Sequence, residues 1–254
     1  MMKEFPKFME SGEGKIYVSE TFYSIQGEGR YIGTPAVFLR TQGCLLNCVW
    51  CDTYNVWKSG KEYSFQELLD LWKTNGYINA LDNDAHIILT GGEPLARHKE
   101  IAGFLNYLKE EGTNNIFIEI ETAGTVMPDE QLNDFSPLYY NVSPKLSNSG
   151  MDMKRRNRPD VMKYLADLSW EKDENKSASS FKFVVSNRED IYEAIDTYME
   201  PYSIDPSSIY IMAQSQTKKE LEEKEPMIID LAKENGLKYS TRLHLHVWDK
   251  ATGV

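Results

Sequence analysis

Short apolar runs rich in Ile, Val, Phe and Tyr alternate along the chain with longer stretches whose apolar residues recur every three or four positions. The runs Ala36–Arg40, His86–Leu89, Ile116–Glu121, Tyr139–Val142, Phe181–Val185 and Ile209–Met212 predict strands. Helices are predicted near Ser64–Thr74, Lys99–Glu110, Pro128–Phe135, Asp160–Leu168, Asp190–Met199 and Lys218–Asn235, with Ser64 as an N-cap and Gly236 as a C-terminal stop. Strand followed by helix, repeated, implies a parallel sheet, and six such units are too few to close an eight-stranded barrel. The expected fold is therefore α/β, an open partial (β/α)6 barrel of the TIM type, in a single domain spanning 1–254. Two segments stand outside this frame: residues 1–15 read as an N-terminal extension, and the polar stretch Trp170–Ser180 as a surface insertion.

Chemistry in such a sheet collects at the C-terminal ends of the strands. Suitable residues do follow the strands: Gly43–Cys51 the first, Thr90–Pro94 the second, Glu121–Gly124 the third, Ser143–Lys145 the fourth and Ala213–Gln216 the sixth.

Composition narrows the class. No apolar run approaches the ~20 residues of a membrane helix, and the first fourteen residues lack the apolar core of a secretory signal and the Arg-rich face of a transit peptide. A cytoplasmic location with no membrane partner is the expectation. A formal charge of −11 disfavours a mode of action that grips nucleic acid. The basic cluster Lys154, Arg155, Arg156 and Arg158 is the local exception, read first as a solvated loop or helix end and alternatively as a contact for a phosphate.

Only three cysteines occur, all within eight residues, which argues against a disulfide scaffold and for a metal or cluster site. Cys44, Cys48 and Cys51 are spaced so that one tight loop can wrap a compact centre. Three ligands suit a cubane with one open iron, whereas a structural zinc is closed by four ligands and would need a distant histidine such as His86 or His98.

The CxxxCxxC spacing is similar to that of the radical SAM superfamily, and Thr90-Gly91-Gly92-Glu93-Pro94 resembles the superfamily's GGEP motif, although alone it also reads as an ordinary turn. The resemblance implies a [4Fe–4S] cluster on the three cysteines, with S-adenosylmethionine (SAM) on the open iron. Reduction of the cluster then yields methionine and a 5′-deoxyadenosyl radical. It implies SAM contacts from Gly91, Gly92 and Glu93, from Ser143, Pro144 and Lys145, and from Met212, Ala213 and Gln214. Glu121 is a further implied contact, unless Glu119 and Glu121 are the solvated face of an alternating strand.

Residues ahead of the cysteines narrow the match. Glu20–Gly29, Gly33–Arg40 and Cys51-Asp52-Thr53 resemble the 7-carboxy-7-deazaguanine synthase family, densely from Glu20 to Pro94 and in islands beyond. That likeness implies a lyase of deazapurine (queuosine precursor) biosynthesis, converting 6-carboxy-5,6,7,8-tetrahydropterin to 7-carboxy-7-deazaguanine and ammonia. It implies substrate contacts from Ile25, Gln26, Gly27, Glu28, Thr90, His244 and the terminal Val254. Arg40 is implied on the substrate carboxylate rather than in a surface ion pair, and Thr53, otherwise a plain capping residue, on a Mg²⁺. Whether His244 or His246 enters the site stays open; in a strand both would share a face. The likeness further implies a homodimer and an electron donor such as flavodoxin or ferredoxin. Two rivals remain: a glycyl-radical activating enzyme, and a zinc module touching RNA through the basic cluster.

Overall fold

The structure is a computed structural model describing residues 8–114, 116–251 and 253–254, apart from the side chain of Asn133. Among them, nine strands form one open sheet. In chain order these are β1 (Lys15–Ile25), β2 (Pro35–Thr41), β3 (Lys61–Ser64), β4 (His86–Gly91), β5 (Ile118–Thr122), β6 (Leu138–Val142), β7 (Ala178–Val185), β8 (Ile209–Ala213) and β9 (Lys238–Tyr239). Their spatial order is β3-β1-β2-β4-β5-β6-β7-β8-β9. From β2 onward each strand pairs parallel with the next, as the alternation requires, while β1 runs antiparallel to both β2 and β3. The six expected strands are therefore the centre of a larger sheet.

The helices are α1 (Tyr54–Trp57), α2 (Phe65–Thr74), α3 (Tyr77–Leu81), α4 (His98–Glu110), α5 (Glu130–Asn133), α6 (Met153–Arg156), α7 (Pro159–Leu168), α8 (Arg188–Ala194), α9 (Lys218–Glu234) and α10 (Leu243–Trp248). Ser64 caps α2 as expected. Its hydroxyl accepts from the Glu67 N–H at 3.2 Å while the Glu67 carboxylate accepts from the Ser64 N–H at 2.8 Å, a reciprocal box. Gly236 ends α9 with φ +64°, a conformation that is costly for a residue with a Cβ.

Alternation within the strands decides what faces where. Val37 and Leu39, Ile87 and Leu89, Ile118 and Ile120, Leu138, Tyr140 and Val142, Phe181 and Phe183, and Ile209 and Ile211 all enter one continuous core beneath the helices. Because successive side chains point to opposite faces, the intervening residues line the other face. These are Arg40, Thr90, Glu119 and Glu121, Asn141, Lys182 and Met212. The polar residues of otherwise apolar strands thus share one concave surface.

Three expectations are corrected. The polar insertion ends at Ser177: Ala178–Ser180 pair with β6 as the start of β7, where Ser179 and Ser180 are buried and hydrogen-bonded. The segment assigned as an extension over 1–15 is partly structural. Its first seven residues lie outside the described ones, but Lys15 opens β1, and the buried Arg97 donates to the Met9 carbonyl (2.7 Å) with Phe8 across its guanidinium. The basic cluster is not one surface either, since Arg156 is buried and pairs with Glu193 at 2.7 Å.

Candidate active site

The cysteine loop leaves β2 through Gly43 (φ +98°), whose N–H donates to the Trp57 carbonyl at 3.0 Å. Its carbonyl accepts from the Glu93 N–H at 3.0 Å, so the turn after β4 is tied directly to the loop. At Gly92 a Cβ would collide with the Gly43 carbonyl and with Cys44 Cβ. Gly92→Ala is accordingly expected to displace the loop and to lower iron bound per chain after reconstitution at least several-fold, read by iron analysis against the parent.

All three thiols are free and line one cavity of about 750 Å³. Two already receive N–H···S hydrogen bonds, Cys44 from Leu46 N (3.3 Å) and Cys51 from Trp57 Nε1 (3.4 Å). Burial pushes the Cys44 thiol up to about 12, and burial also raises Cys48 against the opposing charge of Lys145. Iron binding at these positions must therefore displace protons. Among the described residues, no three His, Cys, Asp or Glu side chains converge on a single ion as a mononuclear site would require. Neither His86 nor His98 lines the cavity. His86 Nδ1 lies 2.7 Å from Glu119, and His98 lies 2.9 Å from the Leu95 carbonyl. Three soft donors on one loop beside an open cavity match the ligand set of a cubane with one open iron.

The GGEP turn contributes backbone rather than a free carboxylate. Glu93 is buried and accepts from Thr122 Oγ1 (2.8 Å), Ala123 N (2.9 Å) and Leu95 N (3.2 Å), so it braces the turn beneath the cavity, whereas Gly91 and Gly92 line it. Ser143 and Lys145 line the cavity, with Lys145 Nζ on the Ser143 carbonyl at 2.7 Å. Pro144 does not line it. Met212 and Gln214 also line it, but the Ala213 side chain points into the core, since it alternates with Met212 on β8. Only the Ala213 backbone is left to face the cavity side of β8.

Ile25, Gln26, Gly27, Glu28, Arg40, Thr53, Thr90, Glu121, His244 and Val254 line the same cavity. Gln26 is nonetheless only 1% exposed and its amide is engaged: Nε2 donates to Glu119 (3.2 Å) and Glu121 (3.5 Å), and Oε1 accepts from Glu28 N (3.2 Å). Gln26 therefore fixes the two carboxylates more directly than it offers an amide. Glu121 also accepts from Thr90 Oγ1 at 2.8 Å. Arg40 donates through Nε to Glu20 (2.7 Å) and through Nη1 to the Gly91 carbonyl (3.4 Å), while Nη2 makes no hydrogen bond among the described residues. Thr53 sits at the start of α1 without a capping bond, 3.8 Å from Cys51 Sγ.

The two histidines are separated because their segment is the helix α10, not a strand; two residues there turn about 200° rather than returning to one face. His244 packs on Gly27 within the cavity, where burial lowers its pKa despite the nearby Glu28 carboxylate and so favours the uncharged ring. His246 instead sits 3.0 Å from Thr241 and 3.1 Å from Glu225, away from the cavity lining.

Lys182, Arg242 and Asn141 lay outside the sequence expectations, and the partners of Glu28 and Glu119 were not foreseen. Glu28 pairs with Lys182 and, at 2.9 Å, with Arg242, and Arg242 also pairs with Asp52 between Cys51 and Thr53. Burial would raise the Glu28 carboxyl, but Lys182 and Arg242 overcome it and hold it well below the usual carboxylate range. Glu119, fully buried, joins Asn141 (2.6 Å), Gln26 and His86 at the base of the concave face, which removes the solvated-face reading for that residue. A lysine inside Phe-Lys-Phe-Val-Val is a legible signal of a polar residue aimed away from the core. Arg242 gives no such signal until β8 and α10 bring it to Asp52.

A family model described as the radical SAM superfamily matches residues 38–166. The 7-carboxy-7-deazaguanine synthase of Pyrobaculum aerophilum is 32% identical over 96% of this chain and 99% of its own length. That of Rhodopirellula baltica is 33% identical over 99% of this chain and 93% of its own. The crystal structure of QueE from Escherichia coli shares the fold, with a TM-score of 0.63 at 23% identity over 92% of this chain and 96% of that one. Matches of this length and kind set aside the zinc-module and activating-enzyme readings. Among the described residues no helix is long and apolar enough to cross a membrane. The chain belongs to the radical SAM superfamily and, within it, to the 7-carboxy-7-deazaguanine synthase family, lyases that work with a [4Fe–4S] cluster and SAM.

Proposed function

We propose that this chain contracts the ring of 6-carboxy-5,6,7,8-tetrahydropterin to 7-carboxy-7-deazaguanine and releases ammonia. One observation carries the reading: the three thiols and the polar set Arg40, Thr90, Glu121 and His244 line the same cavity. Cluster and SAM, when bound, supply the radical that abstracts hydrogen from the substrate. What the chain supplies is placement and exclusion of water. Arg40 Nη2, the guanidinium nitrogen left over from the bonds to Glu20 and Gly91, pairs with the substrate carboxylate in a charge-assisted hydrogen bond. Thr53 offers its hydroxyl to a Mg²⁺, a hard cation that keeps most of its waters and takes few protein ligands. Glu121, held by Thr90 and Gln26, presents a fixed acceptor to the N–H groups of the heterocycle, and His244 and Val254 complete the lining. Homodimerisation, cytoplasmic location and reduction by a flavodoxin or ferredoxin complete the proposal.

Substrate binding tests it. Carboxytetrahydropterin should bind the SAM-loaded enzyme, and tetrahydropterin without the carboxylate should bind about 10- to 100-fold more weakly, the scale of a charge-assisted pair. Arg40→Met should erase that difference. Equal affinity of the parent for both ligands would remove the carboxylate from the recognition scheme and the named substrate with it.

A further inference from the structure

Three exposed cations, Lys154, Arg155 and Arg158, lie close together in a chain whose formal charge is −11. The fold lays the segment carrying Lys154 and Arg155 against the cysteine loop. Val49 N–H donates to the Ser149 carbonyl at 3.0 Å, Asn47 N–H to Met151 Sδ at 3.3 Å, and Arg155 Nη2 to the Leu45 carbonyl at 2.7 Å. Apolar side chains at this seam face water: Val49, which also stands at the edge of the cavity, is 66% exposed, Met153 45% and Leu45 43%. Carboxylates within the segment oppose the cations incompletely. Asp160 stands 3.9 Å from Arg158, Asp152 is exposed, and Glu193 is occupied by the buried Arg156.

We propose that this surface docks an acidic protein that delivers single electrons, with Leu45, Val49 and Met153 at the centre of the contact and Lys154 and Arg158 at its rim. The proposal rests on the reading that Cys44, Cys48 and Cys51 carry the cluster. Leu45 and Val49 flank two of those cysteines in sequence, so a protein seated on them touches the loop that holds the thiolates. An acidic carrier is repelled by the chain as a whole, and a local excess of cations sets where approach is productive. Three cations around an apolar centre are too few for a polyanion, whose binding grows with the number of phosphates neutralised. In the step served, the carrier is oxidised by one electron and the cluster reduced by one, and no further reactant is needed.

The test uses the reconstituted full chain and an acidic flavodoxin as probe, with Kd measured at low and at high salt. The variant Lys154→Glu/Arg158→Glu is expected to raise Kd at least 10-fold at low salt and to flatten the salt dependence, and Met153→Asp to weaken binding at both salts. SAM cleavage driven by dithionite, which needs no docking, should be unchanged in both variants. An unchanged Kd overturns the proposal, as does loss of tRNA binding in the charge-reversed variant while flavodoxin still binds. Absence of dithionite-driven SAM cleavage in the parent would instead count against the proposed function, and the Kd comparison would still decide the docking surface.

Discussion

Replacing Arg242 with methionine is expected to cost about 3 kcal/mol of stability near neutral pH, because it strips the cation from between two carboxylates in a largely buried network. The low end of the usual range applies, since the Asp52 side chain is about one-third exposed (34%) and keeps some hydration. The sign of the pH dependence follows from the lowered pKa of both groups. Burial acts to raise each of them; Lys182 and Arg242 lower Glu28, and Arg242 lowers Asp52. Stability from such groups is fully present above the unfolded carboxylate value of about 4 and is lost as pH falls through the folded one. In the variant those folded values rise, so the deficit against the parent should be largest at pH 7–8 and shrink toward pH 4. Urea unfolding across that range reads it directly. A deficit independent of pH would mean that Arg242 acts through packing alone. Because Asp52 separates Cys51 from Thr53, the same variant should also lose iron more readily.

Cys48→Ser should abolish product formation, by at least about a thousandfold, while leaving the fold intact. A hydroxyl replaces a thiol of similar size in a buried pocket, so the stability cost should stay within about 1–2 kcal/mol. Iron per chain after anaerobic reconstitution and thermal unfolding of the iron-free protein separate the two effects. Full activity in the serine variant would show that Cys48 is not a cluster ligand.

The parallel centre of the sheet was legible because its strands are buried runs of Ile, Val, Phe and Tyr, and because residue types suited to chemistry follow them. β1 and β3 escaped that reading. β1 carries Ser19, Glu20, Thr21 and Ser24 among its apolar residues, and its length is fixed by antiparallel pairing with β2 rather than by its own pattern. β9 is two residues long and exists through its partner β8. For the site, motif residues on contiguous segments were legible, since Cys44–Cys51 and Thr90–Pro94 each form one turn. What remained hidden depended on distance along the chain. Arg242 meets Asp52 across 190 positions, and Gln26 meets Glu119 across 93. The placement of His244 followed local conformation, because α10 is a helix in which His244 and His246 do not share a face.

The proposed reaction of the cavity shared by the cysteine loop and the concave polar face is contraction of a carboxylated pterin. Its most direct test is anaerobic reconstitution followed by turnover with reductant, SAM, Mg²⁺ and 6-carboxy-5,6,7,8-tetrahydropterin, with 5′-deoxyadenosine and deazaguanine product followed by mass. 7-Carboxy-7-deazaguanine should form in the parent and be lost in Cys48→Ser; 5′-deoxyadenosine without any deazaguanine product would rule out the proposed substrate.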